Sequence, residues 1–230
     1  MTAAEWRRGI RAVFVDAVGT LLIPSPSASA IYAQVGLSHG SQRSAAEIGQ
    51  RFWSAFAHEE QLDARTGWRT SEDRELQRWQ RIVGSVLDDA ADTESCFRVL
   101  YDHFRQPSSW RCEPEALATL SRLAEQGYVI GIASNFDSRL RHVLAGFPEV
   151  PLRHVVISAE IGWRKPAPEF FAALCRQVHC APAEVLFVGD DWTNDYLGAA
   201  NAGLRAVWFD PEEKGTETTA CRITRWQELG

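Results

Sequence analysis

From residue 113 to residue 209 the chain alternates strictly between two kinds of segment, and few folds accommodate such a pattern. Pro114 to Gln126 has helical apolar spacing, with proline in its first turn and Gly127 just past its end. Tyr128 to Ala133 reads as a strand that runs into Ser134-Asn135. Asp137 to Ala145 reads as helix, His154 to Ile157 as strand, and Pro168 to Val178 as helix. Val185 to Val188 is a strand ending in Gly189-Asp190-Asp191. Thr193 to Ala202 is a helix closed by Gly203, and Ala206 to Phe209 is a last strand. Strands that alternate with helices call for a parallel sheet covered on both faces. One more run belongs to that sheet: Ala12 to Val15, apolar and β-branched, ending at Asp16 with Gly19-Thr20 close behind.

Between these two parts, Ala28 to Arg105 is patterned for helix throughout. Ile48, Phe52, Ala55 and Phe56 share one face, and Leu76, Trp79, Val83, Val86 and Leu87 recur at helical spacing after a start at Thr70, Glu72 and Asp73. Phe97, Leu100, Tyr101 and Phe104 repeat the pattern, which predicts a bundle of about four helices. The expected architecture is therefore α/β. A Rossmann-like parallel core, residues 1–20 and 109–230, carries a helical cap, residues 21–108, over the carboxyl edge of its sheet.

Composition narrows the function classes. The chain is 45% hydrophobic and 23% charged, as in a globular domain. No run approaches the roughly 18 apolar residues of a membrane span, and Met1 to Arg11 lacks the apolar stretch of a signal peptide. The net charge of −6 argues against nucleic acid as a partner. Cys96, Cys112, Cys175, Cys180 and Cys221 are odd in number and lack C-x-x-C spacing, so they read as reduced packing thiols in a cytoplasmic protein. The chain has 22 arginines but only two lysines, Lys165 and Lys214. In so biased a chain, a lysine marks a place where a compact point charge is needed rather than a planar fork.

The predicted strand ends carry polar groups that suit phosphate chemistry. Asp16 ends the first strand, Ser134-Asn135 the second, Lys165 precedes a helix, and Gly189-Asp190 to Asp195 follows a fourth strand. A carboxylate nucleophile, a hydroxyl, an ammonium and an acidic pair for a divalent cation are the parts phosphoryl transfer uses. Each residue also has a plain structural use. Ser134 suits a turn, Asp190 and Asp191 suit helix capping ahead of Thr193, and Asp195 suits the positive end of a helix dipole.

Taken in order, the segments resemble the haloacid dehalogenase superfamily, in its branch with a helical cap inserted after the first motif. The pattern D-x-D-G-T appears as Asp16-Ala17-Val18-Gly19-Thr20, the second-motif serine as Ser134, the lysine as Lys165 in Lys-Pro-Ala-Pro, and G-D-x-x-x-x-D as Gly189-Asp190 to Asp195. The resemblance implies a hydrolase in which Asp16 attacks phosphorus and forms an aspartyl-phosphate. It implies Mg²⁺ held by Asp16, the Val18 backbone oxygen and Asp190, with Asp195 as ligand or as the residue orienting one. It implies a small phosphorylated metabolite as substrate, its phosphate held by Gly19, Thr20, Ser134, Asn135 and Lys165.

The chain departs from the pattern at Val18, where the family's phosphatases carry a second Asp that protonates the leaving group and activates water. Loss of a general acid/base typically costs about 10²–10⁴-fold in rate. His39, His58 and Glu59 of the cap are candidate substitutes. The leading reading is a Mg²⁺-dependent phosphatase lacking that Asp. The alternative is a 2-haloacid dehalogenase, whose motif D-A-Y-G-T is close to Asp-Ala-Val-Gly-Thr and whose halide needs no proton. Those enzymes need no metal and carry S-N-x-x-D where this chain has its acidic pair. A phosphonate-cleaving relative would need a cap lysine, and residues 21–108 contain none. A phosphate binder without turnover is the third reading.

Overall fold

The computed structural model describes residues 6–213, 215–216 and 220–229, so Lys214 lies outside the described residues. Six strands form one parallel sheet: β1 (Ala12–Val15), β4 (Val129–Ser134), β5 (His154–Ile157), β6 (Val185–Gly189), β7 (Arg205–Phe209) and β8 (Arg222–Ile223). Their spatial order is β5-β4-β1-β6-β7-β8. β1 is central, with Val15 opposite Ile132 of β4 on one side and Val188 of β6 on the other. The chain builds outward from β1 to β5, then crosses to β6 and builds the other way. The order in which strands are added reverses beside β1, where open α/β sheets form their crevices.

The two faces of β1 explain its composition. Val13 and Val15 pack with Leu120 and Leu123 of α5 (Pro114–Glu125) and with Leu140 and Val143 of α6 (Arg139–Leu144). Ala12 and Phe14 point to the opposite face, against Phe170, Phe171 and Leu174 of α8 (Pro168–Val178). Every β1 residue is buried, so the strand reads as a continuous apolar run rather than an alternating one.

Between β1 and β4 the chain leaves the sheet and returns. β2 (Leu22–Pro24) and β3 (Trp110–Cys112) are the outgoing and returning linkers, paired antiparallel with Leu22 opposite Cys112. Both are absent from the sequence expectation, because three residues are too few to show alternation and β2 ends in proline. The excursion holds α1 (Ala28–Ser38), α2 (Ala45–Arg65), α3 (Glu72–Val86) and α4 (Thr93–His103). Ser27, Ser44, Ser71 and Asp92 cap their first turns, Ser44 in a reciprocal box with Glu47. The cap of α3 is thus Ser71, whereas Thr70 turns its hydroxyl to Glu75 at 2.7 Å. The four helices share a separate apolar core around Tyr32, Phe52, Ile82, Val86 and Leu100.

Other differences are local. The expected helix at Thr193–Ala202 is a π-helical turn, Trp192–Leu197, leading into α9 (Gly198–Asn201). Helix α6 starts two residues later than expected, at Arg139, and a short helix α7 (Ser158–Ile161) follows β5. None of the five cysteines forms a disulfide among the described residues. No helix among the described residues is long and apolar enough to cross a membrane.

Candidate active site

The carboxyl ends of β4, β1 and β6 meet at one corner. Asp16 follows β1 directly, and its backbone N–H donates to Val188 O at 2.9 Å, which extends the ladder by one residue and fixes where its carboxylate leaves the sheet. Ser134 closes β4 and Asp190 follows β6. One carboxylate oxygen from each of Asp16, Asp190 and Asp195 lies within 4.8 Å of the others. Lys165 Nζ sits among them, 2.5 Å from both Asp16 Oδ1 and Asp195 Oδ1, and donates to Ala133 O at 3.3 Å.

Two glycines permit this crowding. Gly19 has φ +94°, and a Cβ there would stand 2.3 Å from Asp190 Oδ2. A Cβ at Gly189 would stand 2.2 Å from Asp195 Oδ2. Any larger residue at either place would push a carboxylate out of the corner. The π-helical turn sets Asp195 itself: Asp191 N–H donates to Asp195 Oδ2 at 3.0 Å, and Tyr196 N–H reaches back to Asp191 O at 3.2 Å. Asp191 spends its own carboxylate on the backbone N–H groups of Thr193 and Asn194, the capping role expected of it.

Of the residues expected at the site, Asp16, Val18, Gly19, Ser134, Asn135, Lys165, Asp190 and Asp195 line one cleft, and Thr20 does not. Thr20 was expected at the phosphate. It is instead fully buried, and its hydroxyl donates to Asp190 Oδ1 at 2.8 Å while accepting from Asp190 N–H at 3.0 Å. Its hydroxyl therefore orients Asp190. The Asn135 side chain is committed too, donating to Lys165 O at 3.0 Å and accepting from Lys165 N–H at 2.7 Å. It is a strut that holds the lysine loop beside β4.

Three carboxylates face one ammonium at this corner; Asp16, Asp195 and Lys165 are buried and Asp190 is partly so. Burial disfavours the charged form of Asp190, and the neighbouring Asp16 carboxylate adds to this, so its pKa rises to about 7. Asp195 is likewise raised by burial and by Asp16 and Asp190, against the pull of Lys165. For Lys165, burial alone would lower the pKa. The attraction of Asp16 and Asp195 outweighs it, and the ammonium is held above its usual range.

The cleft has a volume of about 480 Å³ and runs from this corner up between sheet and bundle. Phe52, Phe56, Trp79, Tyr32 and Phe104 form its cap-side wall, and Trp110 of β3 also lines it. None of the three cap residues considered as proton donors reaches it. Glu59 is gripped by Arg81 through two bonds of 2.7 Å, His39 Nδ1 lies 2.9 Å from Val35 O of its own helix, and His58 is exposed elsewhere. The sequence reading missed Arg164, the neighbour of Lys165. Only 3% exposed, it pairs with Glu75 and, at 3.2 Å, with Glu60, both from the bundle. The signal was available: Glu60, Asp63, Glu75 and Arg78 continue the core-facing spacing of their helices, where an ordinary solvated charge would not sit.

The family described as haloacid dehalogenase-like hydrolase matches residues 10–203. Haloacid dehalogenase-like hydrolase domain-containing protein 3 of Bos taurus is 30% identical over 212 residues, covering 87% of this chain and 82% of its own. Glyceraldehyde 3-phosphate phosphatase of Pyrococcus furiosus is 36% identical over 102 residues, or 42% and 41% of the two chains. Among solved structures, a dehalogenase with an intermediate complex superposes with a TM-score of 0.74 at 19% identity, over 96% of both chains, a likeness of fold alone. The chain belongs to the haloacid dehalogenase-like hydrolase family.

Proposed function

We propose that this hydrolase is a Mg²⁺-dependent phosphatase of a small phosphorylated metabolite, with Asp16 as nucleophile. The observation that carries the reading is the convergence of Asp16, Asp190 and Asp195 around a single lysine. The oxygen-only donor set, clustered within 4.8 Å with three carboxyl groups to one ammonium, suits a hard divalent cation. Asp16, Asp190 and the Val18 backbone oxygen would hold it, with Asp195 as ligand or orienting residue. Bound there, Mg²⁺ offsets the charge of phosphate and carboxylate as they approach.

The protein's own groups account for the remaining roles. Asp16 attacks phosphorus in line and becomes the aspartyl-phosphate, which water then hydrolyses. Lys165 holds the Asp16 carboxylate in place through its 2.5 Å bond, and with Ser134, Gly19 and the Asn135 backbone amide binds the phosphate oxygens. We assign residues 1–20 and 109–230 to the catalytic core and 21–108 to the cap, a division supported by the pairing of the two linkers as β2 and β3.

Val18 supports a second reading, a dehalogenase in which Asp16 displaces halide from carbon, because halide leaves without a proton. Paired carboxylates behind Asp16 weigh against it, since displacement at carbon has no use for a cation site. The test is release of inorganic phosphate from p-nitrophenyl phosphate. We expect it to require Mg²⁺ and to fall at least about 10³-fold in Asp16→Asn. Metal-independent halide release from 2-chloropropionate would replace this reading with the second. Beryllofluoride binding without either activity would leave a phosphate binder.

A further inference from the structure

The cap-side wall and the charges around it specify more than phosphate. Phe52 and Phe56 stack with ring centroids 6.2 Å apart, Trp79 lies 6.5 Å from Phe56, and Tyr32 meets Phe52 edge-on at 5.0 Å. This is a connected aromatic surface facing the corner across the cleft. The cations that line the same cleft already face carboxylates: Arg78 meets Asp63 and Glu60, Arg139 meets Asp137 at 2.7 Å, and Arg164 meets Glu75 and Glu60. A second anionic group on the substrate would meet no uncommitted cation among the described lining residues.

The acidic groups and phenols that line the cleft are engaged as well. Glu60 and Glu75 are ion-paired with arginines, Asp191 caps the π-helical turn, and on the phosphatase reading Asp190 and Asp195 are given to the cation and have no proton to spare. The Tyr101 hydroxyl points to Asp137, and burial raises the Tyr32 phenol above its ordinary range, making it a poorer acid. Val18 beside the nucleophile has nothing to donate. A leaving oxygen must therefore depart as a stable anion. A phenol ionises near pH 10, whereas an aliphatic alcohol holds its proton about as tightly as water, with a pKa of about 16.

We propose that the cleft takes the phosphate monoester of a neutral aromatic alcohol, bound with its ring against Phe52, Phe56 and Trp79. The proposal rests on the phosphatase reading and deepens it. The Asp16 carboxylate bonds to phosphorus as the P–O(aryl) bond breaks, and the electron pair leaves on the phenolate oxygen. Water then displaces Asp16 from phosphorus, and its two hydrogens end on inorganic phosphate and on the phenol.

The experiment compares kcat/KM for 1-naphthyl phosphate, glycerol 3-phosphate and phosphoserine, with acetyl phosphate as a small activated control, all with Mg²⁺. We expect naphthyl phosphate to exceed the two alkyl esters by about 10²-fold or more. Equal or better use of glycerol 3-phosphate or phosphoserine overturns the proposal and leaves a phosphatase. No release even from acetyl phosphate removes the phosphatase reading itself. Two variants separate the parts of the argument. Val18→Asp should raise glycerol 3-phosphate turnover about 10²-fold and naphthyl phosphate far less, and an equal rise for both refutes the leaving-group argument. Phe56→Ala should shrink the preference for naphthyl over acetyl phosphate about tenfold, chiefly through KM. An unchanged preference refutes the aromatic wall.

Discussion

Two clusters of buried charge lie beside each other in this protein, and they are built on opposite rules. Where the bundle meets the core, Arg74, Arg78 and Arg164 face Glu60, Asp63 and Glu75, three cations against three anions. At the strand ends, Lys165 alone faces Asp16, Asp190 and Asp195. The carboxyl groups register the difference. Burial alone would raise Glu75, but Arg164 and the Thr70 hydroxyl outweigh it and its pKa is lowered. Asp190 is raised to about 7 by burial and by Asp16. A balanced cluster is complete and serves to hold elements together. An unbalanced one leaves carboxyl groups that a cation would relieve, an arrangement that concentrates at functional sites.

The largest effect is expected where balance is broken. Arg164→Met leaves Glu60, Asp63 and Glu75 short of a partner, and removing one member of a buried pair typically costs about 3–5 kcal/mol. At about 2–4 °C per kcal/mol for a chain of this size, Tm should fall by about 6–20 °C. Adding Glu75→Leu to Arg164→Met should return part of that loss, because the second change removes an uncompensated charge. If the double variant is less stable than the single one, the cluster is not held by charge balance.

The unbalanced cluster should respond to a cation instead. Saturating Mg²⁺, at a hundredfold over its Kd, adds about 2.7 kcal/mol of stability, or about 5–10 °C in Tm. The pH dependence has a definite sign. The folded pKa of Asp190, about 7, lies above the ordinary carboxylate value, about 3.9 when unfolded. Between those values the folded state keeps a proton that the unfolded state has lost, so its contribution to stability declines as pH rises through that window and levels off above it. Glu75 runs the other way, its contribution present above the ordinary carboxylate value and lost as pH falls through its lowered one. Differential scanning calorimetry should therefore show a larger Mg²⁺ shift at pH 8 than at pH 5. A shift independent of pH would detach the cation from these carboxylates.

Much of the fold was legible in the sequence because strand–helix alternation is a local signal. Val15-Asp16, Ser134 and Gly189-Asp190 could be placed at strand ends from apolar runs alone. The balanced cluster could not. Arg164 is 89 positions from Glu75 and 104 from Glu60, and nothing in either neighbourhood names the partner. Only the helical phase of Glu60, Asp63, Glu75 and Arg78 betrayed burial. The π-helical turn was invisible for another reason: an α-helix and a π-turn draw on the same residues at Trp192–Leu197 and differ in which carbonyl each N–H finds. The residue types at β1's end were legible, but their division of labour was not, since a hydroxyl two bonds from a backbone can serve a ligand or a neighbour equally well.

Thr20 turns that last point into the smallest and most discriminating of the predictions. Read from its motif, it binds phosphate. In the fold its hydroxyl is shared between Asp190 Oδ1 and Asp190 N–H. Thr20→Val keeps the shape, leaves that N–H unpaired and removes a bond that lowers the Asp190 pKa, at a cost of about 1–2 kcal/mol. If Thr20 orients a cation ligand, apparent Mg²⁺ affinity should drop about tenfold while KM for the phosphate ester at saturating Mg²⁺ stays near its original value. Thr20→Ser, which keeps the hydroxyl, should restore most of the affinity. A KM that rises at saturating Mg²⁺, with Mg²⁺ affinity unchanged, would return Thr20 to the phosphate and leave Asp190 positioned by its backbone alone.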